Sequence, residues 1–237
     1  MLRRDQAEVT ATTETTTTTK GEQTRARILE TALTLFRERG YEETTMRAIA
    51  EHAGVALGSA YYYFRSKEQL IQAFYGRTHV EHLAACAPIL ARERTLRARL
   101  RGVMHAKLET IEPYHQFAGL LFKSAADPQS PLNPFSPESA PVRQEATELF
   151  AEVLRGSTTR VAADLQAELP ELLWLYHMGI ILFWIHDTSP GRVRTYRLTD
   201  HTVDLIARLI PLASLPVLRP VRRMILRTIA ELRSDLV

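Results

Sequence analysis

Residues 44–67 read TTMRAIAEHAGVALGSAYYYFRSK, and their spacing predicts two short helices joined by a tight turn. Thr44 and Thr45 carry hydroxyls that accept hydrogen bonds from the unpaired N–H groups at a helix start. Met46, Ile49, Ala50 and Ala53 then recur at helical spacing on one face. Gly54 and Val55 interrupt that period, glycine being the residue that bends a chain most cheaply. A further short helix is predicted from about Leu57 to Tyr63, and Ser66 caps a longer one carrying Leu70, Ile71 and Phe74.

Two short helices so joined allow the second to lie in a DNA major groove. Gly58, Ser59 and Ala60 leave the start of that helix unobstructed. Tyr61, Tyr62 and Tyr63 fan around it at about 100° per residue, so at least one faces solvent or a ligand. A phenol hydroxyl there donates well to a phosphate. Lys67, beside the next helix N-terminus, adds a positive charge with the same preference. A tyrosine run taken alone is more simply explained by core packing. Its register with Gly54, the threonines and Lys67 favours the contact role.

Working outward, Thr24 is a candidate cap for a first helix whose apolar face is Ile28, Ala32, Leu35 and Phe36, ended by Gly40. The fourth helix is expected from Lys67 to about His82. Helical periodicity then covers about 95–112 and 114–126. Pro128, Pro131, Pro134, Pro137 and Pro141 make 127–141 a loop, because proline lacks a backbone donor. Helices resume at about 142–154, 159–168, 171–186, 192–210 and 216–233. No strand-like alternation and no internal repeat interrupts the pattern, so the fold class is all-α. The expected division is a disordered tail over 1–20, a head over 21–81 and a helical domain over 82–237.

The chain has 237 residues, 45% hydrophobic and 24% charged, with a net charge of +3. A balance this close to neutral confines any nucleic-acid surface to a local patch. Cys86 is the single cysteine, which excludes an internal disulfide and a cysteine-based metal cluster. The threonine run 15–19 has too few large apolar groups to offset the entropy of ordering. Residues 1–20 lack the apolar centre of a secretory signal. The most apolar segment, 172–185, falls short of the roughly 20 residues that cross a bilayer. A cytoplasmic protein with no membrane partner is the expectation. Only Lys20, Lys67, Lys107 and Lys123 are lysines, arginine carrying the remaining positive charge.

At Leu35, Phe36, Gly40-Tyr41, Thr44-Thr45, Ile49-Ala50, Ala53-Gly54-Val55, Gly58-Ser59, Tyr61, Phe64 and Ser66-Lys67 the chain resembles the DNA-binding domain of the TetR family of bacterial regulators. The resemblance covers roughly residues 22–75. It implies a three-helix helix-turn-helix head followed by a helical domain that binds a ligand and forms a dimer. By position, Thr45, Tyr61, Tyr63 and Lys67 would hold phosphates. Arg47, Leu57, Gly58, Ser59 and Tyr62 would lie nearest base edges, and Phe64 would be buried. Ala56 and Leu57 depart from the polar residues common there, so Leu57 suits a thymine methyl better than a hydrogen bond.

The implied partners are double-stranded operator DNA and a second copy of the chain, joined through helices at about 171–186 and 192–210. The first is apolar on nearly every side and must be buried in a core or between subunits. Two recognition helices about 34 Å apart would then read a palindrome. An apolar or aromatic effector is expected, with Met104, His105, Tyr114, Phe117, Phe122, Trp174 and His177 as candidate contacts. The implied function is a repressor released from its operator by that effector. The alternative is a DNA-binding interaction protein of the same fold with no effector.

Other clusters carry less. Arg92, Arg94, Arg97, Arg99 and Arg101 read as a solvated helix face, as do Arg219, Arg222, Arg223 and Arg227. His79 and His82 share a helix face but lack a third ligand, so no metal is expected, and no cofactor either. No nucleophile–base pair or phosphate loop suggests an enzyme.

Overall fold

The structure, a computed structural model, describes residues 19–234. The tail expected to be disordered lies outside the described residues apart from Thr19 and Lys20. These ten helices follow in chain order: α1 (Lys20–Arg39), α2 (Met46–His52), α3 (Leu57–Tyr63), α4 (Lys67–Arg92), α5 (Leu96–Ile111), α6 (His115–Ala125), α7 (Ala140–Arg155), α8 (Ala163–His186), α9 (Val193–Ala213) and α10 (Arg219–Ser234). No strand occurs among the described residues. The all-α expectation holds.

Helix α1 begins four residues before the expected cap Thr24. Thr19 accepts from the Glu22 backbone N–H, and the Glu22 carboxylate accepts from the Thr19 N–H at 2.7 Å. This reciprocal arrangement satisfies two orphan donors at once and outcompetes a lone threonine further on. Helix α4 runs to Arg92, through Pro88 and past the expected division at 81–82. The segments expected at 159–168 and 171–186 are one helix, α8, with Pro170 inside it. At 24 residues α8 is by length and composition long and apolar enough to cross a bilayer, contrary to the sequence expectation. Its Leu165, Leu173, Trp174, Ile180 and Trp184 are buried against neighbouring helices.

Two apolar cores organise the molecule. The first gathers Ile28, Leu29, Leu35 and Phe36 of α1, Ile49 and Ala50 of α2, Ala60 of α3, and Leu70, Ile71 and Phe74 of α4. Phe117 and Leu121 of α6 enter the same core, Phe117 stacking on Phe36 with ring centroids 5.9 Å apart. Each such fully buried side chain contributes roughly 1.5–3 kcal/mol. The second core joins α4, α5, α7, α8 and α9 around Leu100, Val103, Phe150, Val153, Trp184 and Val203.

Two arginine expectations are overturned. Arg99 is only 2% exposed, and its guanidinium donates to the carbonyls of Leu90, Glu93, Glu152 and Val153. These carbonyls lie at the C-terminal ends of α4 and α7, where helix dipoles present partial negative charge. One cation therefore caps two helices. Arg222 is also buried, donating to Asp164 Oδ2 at 2.8 Å and to the Ala213 carbonyl at 2.7 Å. Its neighbours Arg219, Arg223 and Arg227 are exposed, as the helix-face expectation holds.

Candidate functional site

The local chemistry of 44–67 produces the expected pair of crossed helices. Thr44 is buried and donates to the Gly40 carbonyl at 2.7 Å, tying the loop to the end of α1. Thr45 caps α2, accepting from the Ala48 N–H at 3.2 Å. Gly54 has φ of +64°, a conformation that favours glycine, and the Val55 N–H returns to the Ala50 carbonyl at 3.0 Å. Ala60 is fully buried, its small side chain letting α3 cross closely. Phe64 is buried beneath Arg25, whose guanidinium lies 4.7 Å from the ring centroid.

The surface left outside is distinctive. Thr45, Arg47, Gly58, Tyr61 and Tyr62 are exposed, Tyr62 at 82%. Leu57, Ser59, Tyr63 and Lys67 are half-buried. Tyr62 and Tyr63 meet edge to face at 5.1 Å. The Lys67 ammonium donates to the carbonyls of Tyr41 at 2.7 Å and Glu42 at 3.3 Å, and stands 4.4 Å over the Tyr41 ring. Lys67 thus fastens the α1–α2 loop to the start of α4. Arg65, exposed between α3 and α4, belongs to the same surface and was not singled out by the motif.

A cavity of about 240 Å³ lies between α4, α5, α6, α7, α8 and the proline-rich loop. Gln72, Phe74, Tyr75, Thr78 and His79 of α4 form one wall, and Lys107 and Ile111 of α5 another. Phe122, Trp174, His177, Ile181 and Ile185 complete an aromatic and aliphatic lining. Two side chains pin the loop over it. Gln72 donates to the Pro131 carbonyl at 2.6 Å, and Arg143 to the Pro134 carbonyl at 2.6 Å.

Titratable groups around the cavity are shifted by burial. Burial lowers Lys107 to about 8. Burial, reinforced by the Lys107 charge, holds His82 at about 3 and His177 well below its ordinary value. His79 is lowered by the same two causes, against the pull of Glu145, whose carboxylate is 3.2 Å away. His82 uses Nε2 on the Val103 carbonyl at 3.0 Å. His177 is 5% exposed and neither of its ring nitrogens has a hydrogen-bond partner.

Residues 28–74 match the family model of bacterial regulatory proteins of the tetR family, and residues 99–225 match that of the tetracyclin repressor-like C-terminal domain. The second match alone spans more than half of the chain. The chain belongs to the TetR family. Among curated TetR-family relatives, the transcriptional repressor KstR2 of Mycobacterium tuberculosis is 37% identical over 92 residues, 38% of this chain and 46% of that protein. The regulator TtgR of Pseudomonas putida is 41% identical over 63 residues, 27% of this chain and 30% of that protein. The chain thus aligns with less than half the length of either. A TetR regulator structure from Nitrosomonas europaea superposes with a TM-score of 0.61 at 18% identity, covering 76% of this chain and 96% of that one. A tetR-family protein from Rhodococcus RHA1 gives 0.55 at 20%, covering 79% and 97%. Both show the shared fold.

Of the effector contacts expected as polar-tipped or flexible groups on apolar helices, the structure gathers Tyr114, Phe122, Trp174 and His177 around the cavity. The other three candidates lie elsewhere. Met104 is buried in the second core. His105 faces α9 and meets Asp200 Oδ1 at 2.8 Å. Phe117 is committed to the head core by its stack on Phe36. Helical spacing marks these side chains as apolar or polar-tipped but not which face of α5 or α6 meets empty space. Lys107 and His79 also line the cavity; the sequence offers His79 only as half of a histidine pair, and Lys107 is one of several charged residues on α5.

Proposed function

We propose that this TetR-family chain is a DNA-binding transcriptional repressor, cytoplasmic, that leaves a palindromic operator when a small, largely apolar ligand fills the cavity. Thr45, Tyr61, Tyr63 and Lys67 face phosphates, while Arg47, Leu57, Gly58, Ser59 and Tyr62 face base edges. Residues 21–81 act as the DNA-binding unit and 82–237 as the regulatory and dimerising unit. A second copy docks through α8 and α9, on which Leu175, Leu182, Phe183, Leu205, Leu209 and Leu212 are each between 41% and 54% exposed. An apolar surface of that extent favours burial against its own copy.

One observation carries this proposal. Helix α4 is continuous from Lys67, where it holds the α1–α2 loop, to Thr78 and His79, where it lines the cavity. A ligand that prefers a shifted α4 changes the spacing of two DNA-contacting heads and so the operator affinity. Selecting fragments of the source genome bound by the protein at low ionic strength tests the DNA role. Enrichment of palindromic sites is the expected result, and absence of binding to any fragment overturns it. A metabolite that raises Tm and releases those fragments supports the effector role. A protein that no metabolite stabilises or releases from DNA is an interaction protein without an effector.

A further inference from the structure

The charges around the cavity point to one class of occupant. Its lining holds two cations, Lys107 and Arg143, and no carboxylate. Arg143 is engaged, donating to the loop carbonyls of Pro134 and Ser136. Lys107 is not: among the described residues its ammonium makes no hydrogen bond or salt bridge, and the Glu81 carboxylate attracts it through space without contact. Next to this cation in the lining stands His177, nineteen-twentieths buried, with both ring nitrogens unpartnered. A buried imidazole with two unpartnered nitrogens is costly to leave unsatisfied, and a half-buried ammonium gains more from a facing anion than one in open water. The rest of the lining is aromatic and aliphatic, including Phe122, Trp174, Ile181 and Ile185.

We infer that the effector is a small apolar carboxylic acid whose carboxylate pairs with Lys107 and accepts a hydrogen bond from His177, its apolar tail lying against Phe122, Trp174 and Ile185. This rests on the effector-released repressor proposed above and narrows its ligand class. The carboxylate supplies the charge that Lys107 lacks, and an imidazole N–H donates to the same group. Arginine-like bidentate geometry is not needed, because an ammonium is a point donor that adapts to either carboxylate oxygen. At about 240 Å³ the cavity lies below the roughly 300–1,000 Å³ typical of drug-sized sites. That limits the tail to a short chain or a single ring. Burial pulls Lys107 down to about 8, and a facing carboxylate, by favouring the charged form, would raise it again.

The test compares acids with alcohols of the same skeleton. Octanoate and 3-phenylpropanoate, with octanol and 3-phenylpropanol as neutral counterparts, are titrated calorimetrically against the full chain and against Lys107→Met and Lys107→Arg. The acids should bind the unaltered protein about ten- to a hundred-fold tighter than the alcohols, the range expected for a charged hydrogen bond. Lys107→Met should erase that preference and Lys107→Arg should keep it. Because Lys107→Met exchanges an unpaired, half-buried ion for an apolar side chain of similar length, its Tm should stay close to that of the parent, which establishes that it folds. Equal affinity for acids and alcohols, unchanged in Lys107→Met, overturns the carboxylate assignment and leaves an apolar effector site standing. Failure of both classes to bind overturns it as well. Release of operator DNA is read in parallel: acids that bind through Lys107 without weakening operator affinity uphold the site and sink the effector-released repressor instead.

Discussion

Lys67 Nζ reaches back to the Tyr41 carbonyl at 2.7 Å, so a residue proposed to meet a phosphate also closes the loop that presents α2. Its position unites two roles that a sequence motif cannot separate. The ammonium steadies the loop by two backbone hydrogen bonds and a ring contact, and its charge stays at the N-terminal end of α4, the end proposed to face DNA.

Lys67→Ala should therefore show two effects. Loss of the backbone contacts should lower stability by about 1–2 kcal/mol in a urea titration. Operator affinity should fall for all sequences alike, with the dependence on log salt concentration shallower by about one. A loss restricted to particular base-pair variants would contradict the phosphate assignment.

Gly58→Glu should separate folding from binding. A Cβ at Gly58 meets nothing within 4 Å, and replacing a helical glycine gains roughly 0.5–1 kcal/mol of backbone entropy. Its Tm should match or exceed that of the parent protein, while the new carboxylate in the groove abolishes operator binding in a gel-shift titration. Retained affinity would place α3 outside the groove.

Arg99 and Gly156 should be strongly coupled. A Cβ at Gly156 would collide with the Arg99 guanidinium, so Gly156→Ala displaces a cation that serves four carbonyls. Arg99→Met should cost on the order of 3 kcal/mol by leaving those acceptors unpaired. In that background Gly156→Ala should cost little more, because the collision partner is gone; urea unfolding of the double-mutant cycle measures the non-additivity.

Acid should weaken the α8–α9 junction. Burial pushes the Asp187 carboxyl up, but hydrogen bonds from the Ser189 and Thr195 side chains and backbone outweigh it and hold it well below the ordinary carboxylate range. A depressed pKa means the stabilisation is complete above about pH 5 and is lost as pH falls through the unfolded value near 3.9 and below. Asp187→Asn should be less stable than the parent by on the order of 2 kcal/mol at pH 7. The difference should shrink below about pH 4 in urea titrations across that range, and a gap independent of pH would refute the linkage.

Much of this molecule is local in origin and could be seen in one dimension. Apolar spacing in α1 and α2, the turn at Gly54 and the caps at Thr45 and Ser66 depend on neighbours within a few residues, so the head was legible before any coordinates. The cap expected at Thr24 lies inside α1, and the pattern Thr19-x-x-Glu22 that starts the helix was a legible signal beginning within a threonine run read as disordered. Separate helices were expected at 159–168 and 171–186, yet α8 runs through Pro170 with Leu165, Leu169 and Leu173 on either side of it in one core.

The chain order of apolar, small and capping residues was enough to specify an all-α molecule with a helix-turn-helix head, since each of those signals acts over one or two helical turns. The fate of the charged and polar residues was decided only on folding. Arg99 looked like one of five surface arginines until two helix ends converged on it, and Lys107 gave no sign of lining a cavity until α5 packed among α4, α7 and α8. Burial and electrostatic pairing are sums over groups far apart in the chain, and a sequence pattern does not contain those distances.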